Sequence, residues 1–264
     1  MKKTKEIVGI LVVVLITLCS CTNESVEIIQ PQLLKKIVEV SVDGTSTITT
    51  LNYSGNKLQN IDKADAFLEF YYTGDEITKI IEFNKFSKQT NTLQYFYTQG
   101  NLIKITSSDN YVLNYVHNDD TTVSYEKVTK DAQNNDVKIH HGTLYFKNDN
   151  LIKDEQVLDN VAANILSKKS LNIVYDNKKN ALYNIVGFSK LLDYSRSIST
   201  NNPLNCSETS YVKFVEEDRI ISAVKLDKSI STYDNLGYPL EIVSEKNIFG
   251  VHNSKHLKSQ LFYN

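Results

Sequence analysis

Residues 68–80 read Leu-Glu-Phe-Tyr-Tyr-Thr-Gly-Asp-Glu-Ile-Thr-Lys-Ile, and residues 93–105 read Leu-Gln-Tyr-Phe-Tyr-Thr-Gln-Gly-Asn-Leu-Ile-Lys-Ile. Both stretches place a leucine, an aromatic residue and a tyrosine at alternate positions, and a glycine and branched aliphatic residues follow. Side chains of a strand alternate between its two faces, so the alternate residues share one face. The glycine supplies the positive φ that a tight turn requires. Each stretch therefore predicts a β-hairpin.

The same pattern recurs in weaker form along the chain. Its other copies are Leu51 and Tyr53 with Gly55, Leu58 and Ile61; Leu113-Asn114-Tyr115; Leu144-Tyr145-Phe146 with Leu151; Leu171, Ile173 and Tyr175; and Leu261-Phe262-Tyr263-Asn264. Irregular intervals between copies indicate hairpins with turns of varying length, not a solenoid of fixed period. We predict a mainly all-β fold, an antiparallel β-meander of degenerate hairpin repeats that forms a curved sheet or a partly closed barrel.

Composition agrees with this fold class and limits the partners. The chain contains 16 Tyr and 10 Phe, which suit a pleated, half-buried surface. Without residues 1–20 it carries 26 basic and 30 acidic side chains. A weakly acidic chain lacks the basic surface that binds nucleic acid, so we expect no nucleic-acid partner.

The two faces of the predicted strands differ in polarity. Leu68, Phe70 and Tyr72 point to one side of their strand, and Glu69 and Tyr71 point to the other. The more polar face also carries Gln94, Asn114 and Asn172 at the equivalent places. A wall that contacts lipid is continuously apolar, so these residues predict a sheet that faces water and not an outer-membrane barrel.

Three segments interrupt the alternation. Residues 158–166 fit either helical spacing or a hairpin, and residues 180–192 read as short helical turns with Gly187 as a break. We therefore predict one or two short helices around residues 155–192. Asn201-Asn202-Pro203 predicts a turn, because proline restricts the residue before it to extended conformations.

The N-terminal residues read as an export signal. Lys2, Lys3 and Lys5 precede an apolar run that is shorter than the roughly 20 residues of a membrane-spanning helix. The following Leu-Cys-Ser-Cys, residues 18–21, resembles a lipobox, which implies cleavage after Ser20 and lipidation of Cys21. We predict a lipoprotein signal peptide over residues 1–20, a lipid-anchored tether over 21–33 and a single β-meander domain over 34–264.

A sharper pattern lies at residues 175–182, Tyr-Asp-Asn-Lys-Lys-Asn-Ala-Leu, and at residues 233–240, Tyr-Asp-Asn-Leu-Gly-Tyr-Pro-Leu. The second resembles the tyrosine–aspartate (YD) repeat. The order of motifs over residues 170–245 is similar to that of a family of Bacteroidetes lipoproteins of unknown function with degenerate YD-type β-hairpin repeats. The resemblance implies an antiparallel meander with no established activity. In both blocks the residues themselves favour a turn-forming role for Asp176 and Asp234.

Residues with catalytic potential do not form a recognisable site. His252 and His256 stand four residues apart, which would align them on a helix, but no glutamate follows His252 as in the zinc-binding H-E-x-x-H motif. Adjacent His140 and His141 on a strand point to opposite faces. No nucleophile elbow, phosphate-binding loop or dinucleotide fingerprint occurs in the sequence. Cys206 is expected to be a small buried residue. We therefore predict no enzyme activity, no catalytic residues, no metal and no cofactor.

Three functional hypotheses remain for an exported lipoprotein. The first is a non-enzymatic scaffold or interaction module that presents an open sheet face or edge to another envelope protein. The second is a glycan-binding surface lipoprotein, in which exposed Tyr71 and Phe96 contact a polysaccharide. The third is a hydrolase, which requires carboxylates or histidines that converge in a pocket. In each case we expect attachment through the N-terminal lipid, at the outer membrane in preference to the inner membrane.

Overall fold

The computed structural model describes residues 31–159, 164–194, 197–248 and 255–264. The described residues form sixteen strands in one compact unit, Gln32–Asn264. The strands are β1 Leu34–Ser41, β2 Ser46–Ser54, β3 Lys57–Asp62, β4 Ala66–Thr73, β5 Glu76–Asn84, β6 Thr90–Thr98, β7 Asn101–Ser107, β8 Tyr111–His117, β9 Thr122–Lys130, β10 Asp136–Lys147, β11 Asn150–Leu158, β12 Ile165–Lys179, β13 Asn201–Phe214, β14 Arg219–Tyr233, β15 Pro239–Ile248 and β16 Lys255–Tyr263. Among the described residues, no helix is long and apolar enough to cross a membrane.

The sheet closes on itself. Each strand pairs antiparallel with its neighbours along the chain, and β1 pairs with β16 through partners such as Ile37 and Leu261. The all-β fold is confirmed, and of the two predicted forms the barrel is the one observed. In the described part of the chain every strand has two partners, so the open sheet edge expected of a scaffold is wrong.

A common contact explains the tyrosine of the repeat. In each strong copy a register shift beside the turn places that tyrosine opposite a buried aliphatic residue, Tyr72 opposite Ile77 and Tyr97 opposite Leu102. The ring packs on the core, and the hydroxyl donates to a backbone carbonyl of a neighbouring segment. These bonds join Tyr53 to Leu34 O at 2.8 Å, Tyr97 to Ile77 O at 2.9 Å, Tyr175 to Leu151 O at 2.8 Å and Tyr263 to Pro239 O at 2.8 Å.

The face prediction is confirmed. Leu68 and Phe70 are buried in the barrel, and Tyr71 lies on the outer wall. Outward polar residues stand between buried neighbours elsewhere too, as at Gln94 and Asn172.

The two ends of the barrel are different. One end carries the tight turns at Gly55, Gly74, Gly100 and Gly237, each with positive φ. The connection between β12 and β13, residues 180–200, lies at this end, and we call it the insert. The end that carries it is called the insert end. The chain also begins and finishes its strands here, where Leu33 N–H donates to Asn264 Oδ1 at 2.7 Å. The opposite end is called the mouth.

The insert packs inside the barrel. Its described residues include two 3-10 turns, Phe188–Lys190 and Leu192–Tyr194. Buried side chains of the insert join the core formed by the wall, and they are Ile185, Phe188, Leu191, Leu192 and Ile198. Polar bonds hold its backbone, since Val186 N–H donates to Asn56 O at 3.1 Å and Tyr72 OH donates to Val186 O at 3.2 Å.

One local expectation needs correction, and one open alternative is resolved. Strand β11 ends at Leu158 and β12 begins at Ile165, so this region follows the hairpin alternative, although residues 160–163 lie outside the described part. Asn201-Asn202-Pro203 is not a turn but the start of β13, where Pro203 stands opposite Tyr175 at a register irregularity. Proline is tolerated there because the ladder is already interrupted.

The two aspartates of the YD-like blocks have different roles. Asp234 forms a turn as predicted, because its Oδ1 accepts bonds from Leu236 N–H and Tyr238 N–H. Asp176 also accepts a bond from the backbone two residues on, Lys178 N–H at 2.9 Å, but it lies within β12 and in addition links three strands. It accepts Asn202 N–H of β13 at 3.1 Å and the Tyr233 hydroxyl of β14. The turn role predicted for Asp176 is therefore incomplete.

Candidate functional site

The inner face of the barrel changes from apolar to polar across the sheet. Cross-strand partners share a face, so a row can be followed from Val123 through Leu144 to Asp154 and Leu171. The row continues into β13 and β14 with Glu208 and Lys225. Lys169 and Lys225, which both contact Glu208, are solvent-exposed although they belong to the inner face. The lumen is thus lined by charge on the β12–β14 side.

A pocket of about 180 Å³ lies in the lumen between the wall and the insert. We call it the lumen pocket. Strands β8 to β11 and the second 3-10 turn supply its lining: Leu113, Tyr115, Tyr125, Lys127, His140, Leu144, Asp154, Gln156, Leu192 and Asp193. Three leucines form its apolar part, and the remaining side chains bring hydrogen-bond donors and acceptors.

Asp154 and Tyr125 form the polar centre of the wall side. Tyr125 OH donates to Asp154 Oδ1 at 2.7 Å, and Gln156 Nε2 lies 3.5 Å from the same hydroxyl. The ring of Tyr125 crosses over Gly142, where a Cβ atom would lie 2.5 Å from the hydroxyl oxygen. Burial raises the pKa of Asp154, although the bond from Tyr125 opposes that shift.

Asp193 comes from the insert and faces the wall. Tyr95 OH donates to its Oδ2 at 2.8 Å. Asp193 lies inside the barrel with protein around its carboxylate. The residue also lines the lumen pocket and is exposed there, so water in the lumen reaches it. Desolvation raises the pKa of Asp193 to about 6, despite the opposing hydrogen bond from Tyr95. The next residue, Tyr194, donates to Glu82 Oε1 at 3.0 Å.

Two nitrogen groups complete the lining. Burial lowers the pKa of Lys127, whose Nζ lies 3.7 Å from the centre of the Tyr111 ring. Burial likewise lowers the pKa of His140, whose ring meets the edge of Tyr125 at a centroid separation of 6.0 Å. The pocket therefore offers donors and acceptors side by side over an apolar base.

The aromatic residues predicted for the ligand face lie elsewhere. Tyr71 and Phe96 are on the outer wall, 40% and 42% exposed. Strand β5 separates them, so the two backbones are roughly 10 Å apart. Lysines cover both rings, with Lys79 Nζ 3.9 Å from the Tyr71 centroid and Lys104 Nζ 5.9 Å from that of Phe96.

The other singled-out residues are dispersed. His140 faces the lumen, and His141 on the outer wall contacts Asp159 at 2.8 Å, so the predicted opposite orientation is confirmed. Cys206 is buried as expected. In the described ranges, no group of three or more potential ligands is placed to hold a metal ion. Cys21 and His252 lie outside the described residues.

Similar folds occur among solved structures. A porin-like protein from Bacteroides vulgatus is 13% identical, with a TM-score of 0.53, and the alignment covers 89% of this chain and 99% of that one. A porin-like protein from Bacteroides uniformis is 10% identical with the same coverage and a TM-score of 0.50. At these identities the likeness is one of fold alone. The sequence matches no protein-family model and no curated protein.

Proposed function

We propose that this chain is a lipid-tethered barrel of the bacterial cell envelope that acts as a non-enzymatic binding module and has its outer wall in water. The likeness of fold to porin-like proteins of Bacteroides supports an envelope setting. The lipobox-like residues 18–21 support attachment through Cys21. The observation that carries the proposal is the charge of the outer wall.

Charged side chains occupy the outer wall on many strands. Lys138 of β10 pairs with Glu126 of β9 at 2.9 Å, and Lys258 of β16 pairs with Glu241 of β15 at 2.7 Å. Glu69 stands in the middle of β4. A lysine on the lipid face costs about 2–4 kcal/mol at the bilayer midplane. A wall with these residues is suited to water.

The interior supports binding over conduction. The insert fills the lumen at its own end with buried side chains, among them Phe188 and Leu191. Such packing obstructs passage along the barrel axis. Because the strands begin at Leu34 on the insert end, a lipid at residue 21 would direct that end toward the membrane and the mouth away from it.

The test separates a tethered barrel from a pore. We expect Cys21→Ser to move the protein from the membrane fraction to the soluble fraction, whereas Cys206→Ser leaves it membrane-bound. Protein that begins at residue 32 should stay in solution without detergent and produce no conductance in planar bilayers. Membrane retention of the Cys21→Ser protein, or step-like conductance, contradicts the proposal.

Glycoside hydrolysis is a second candidate function. Its support is that Asp154 and Asp193, two carboxylates from different elements, line one pocket. Glycosidases use such a pair as acid and as base or nucleophile. Release of reducing ends from polysaccharide, abolished by Asp193→Asn, would establish this function in place of simple binding.

A further inference from the structure

The lumen pocket has the size and access of a small-molecule site. Its volume of about 180 Å³ equals the liquid volume of about six water molecules, which is close to the room that one hexose ring needs. Solvent reaches Asp193 on its insert side. The wall and the insert both contribute, so the pocket depends on the place of Leu192 and Asp193 inside the barrel.

Its polar groups can both donate and accept. The carboxylates of Asp154 and Asp193 accept, the ammonium of Lys127 donates, and the Gln156 amide does both. Leu113, Leu144 and Leu192 provide an apolar surface beside them. A sugar ring matches this arrangement, because each hydroxyl donates and accepts while the C–H faces of the ring are apolar.

A small organic cation fits the lumen pocket less well than a neutral sugar does. Tyr125 and Tyr95 hydroxyls already donate to the two carboxylates at 2.7 and 2.8 Å, which stabilises their charge without a ligand. The Lys127 ammonium on the same pocket repels a second positive charge. A neutral ligand avoids that repulsion.

We propose that the lumen pocket binds one neutral monosaccharide unit, held by Asp154, Gln156, Lys127 and Asp193. The inference deepens the proposed binding function and rests on it. It also places sugar recognition inside the barrel, away from Tyr71 and Phe96 on the outer wall.

The experiment measures sugar binding to the barrel that begins at residue 32. D-glucose, D-galactose, D-mannose and N-acetyl-D-glucosamine are titrated separately, with saturation-transfer NMR and tyrosine fluorescence as readouts, since the chain has no tryptophan. Asp154→Asn keeps the shape and removes the charge. Its matched control is Glu155→Gln, the next residue, whose side chain is on the outer wall and contacts Lys153 at 2.7 Å.

We expect at least one sugar to bind, and Asp154→Asn to weaken it about tenfold, because a hydrogen bond to a charged group is roughly twice as strong as a neutral one. Glu155→Gln should bind like the unchanged protein. Gln156→Ala serves as a second pocket variant if Asp154→Asn does not fold, as judged by circular dichroism.

Three results would overturn the inference. The first is that none of the four sugars binds. The second is that Asp154→Asn and Glu155→Gln bind the sugar equally well. The third is that the double substitution Tyr71→Ala and Phe96→Ala abolishes binding while the pocket variants still bind. Binding of putrescine without any sugar would likewise replace it with a cation site. Fractionation and conductance are measured without sugar, so failure of the tethered-barrel proposal remains a separate result.

Discussion

Asp193 is a carboxylate of a connecting segment that lies inside the barrel. The 3-10 turn Leu192–Tyr194 of the insert places it against Tyr95 inside the barrel. Its folded pKa of about 6 exceeds the ordinary value of 3.8, so the folded chain holds this proton more tightly than the unfolded chain. The fold therefore loses stability at this group as the pH rises from about 4 to about 6.

We expect Asp193→Asn to have a higher Tm than the unchanged protein at pH 7 and a similar Tm at pH 4. The amide cannot ionise, while its oxygen can still accept the Tyr95 hydroxyl. Thermal unfolding followed by circular dichroism at both pH values measures the difference. Asp75→Asn, at an exposed turn residue, is the control. A Tm difference that does not change with pH contradicts this assignment.

The site residues could not be found from the sequence, for a physical reason. Asp154 faces the lumen because a register shift between Tyr145 and Phe146 changes the pairing of β10 and β11. Asp193 belongs to a connection, where period-two alternation gives no information. By contrast, alternation places Tyr71 and Phe96 correctly on the more polar face, because their strands alternate without interruption up to these residues.

At the scale of the element, the tyrosine of the repeat links its own strand to the strand before it. Its tyrosines do more than fill a face, since the hydroxyls of Tyr53, Tyr97, Tyr175 and Tyr263 each reach a carbonyl at the start of the preceding strand. Such a bond ties two strands together beyond their own ladder. The recurrence of tyrosine at this place thus has a structural cause without any ligand.

We expect Tyr97→Phe to lower the free energy of unfolding by about 1 kcal/mol, because Ile77 O loses its hydroxyl donor. Tyr71→Phe removes a hydroxyl from the outer wall and should change stability by less than half of that. Urea unfolding followed by circular dichroism measures both. Equal effects of the two substitutions would show that the Tyr97 hydroxyl bond adds no more to the free energy of unfolding than the outer-wall hydroxyl of Tyr71 does.

The hairpins could be predicted from the sequence, but the position of the insert inside the barrel could not. Leucine, aromatic residue, tyrosine and glycine specify a strand face and a turn locally, which is why β4–β5 and β6–β7 occur where the sequence indicates. Packing of Phe188 and Leu191 into the core depends on contacts with distant strands. Local spacing indicated short helical turns there but not their place inside the barrel.

At the scale of the whole molecule, the apolar core lies inside the barrel, while the outer wall carries charged residues together with exposed apolar ones such as Val116 and Ile230. Apolar side chains such as Ile80 and Ile105 lie inside, and charged pairs such as Lys138 with Glu126 lie outside. A likeness of fold to porin-like proteins thus coexists with charged pairs on the outer wall. The sequence leaves open whether the sheet stays curved or closes, because closure requires β1 and β16, the strands farthest apart in sequence, to pair.

We expect removal of residues 255–264 to cause aggregation. Without β16, strands β1 and β15 present unpaired backbone groups that can pair with other chains. Size-exclusion chromatography measures the result, and Asn264→Ala is the control that keeps the strand. A truncated chain that elutes as a folded monomer would mean that closure is dispensable.

The bond between Leu33 and Asn264 has a consequence for chain connectivity. Leu33 and Asn264, which flank the first and last strands, lie next to each other. The sixteen described strands therefore form a ring, and any of its hairpins could come first in the chain. A short linker could join these ends while the backbone is cut at any exposed turn. Circular permutation should therefore preserve the pairing order and permit the tether to be moved to a different point on the rim.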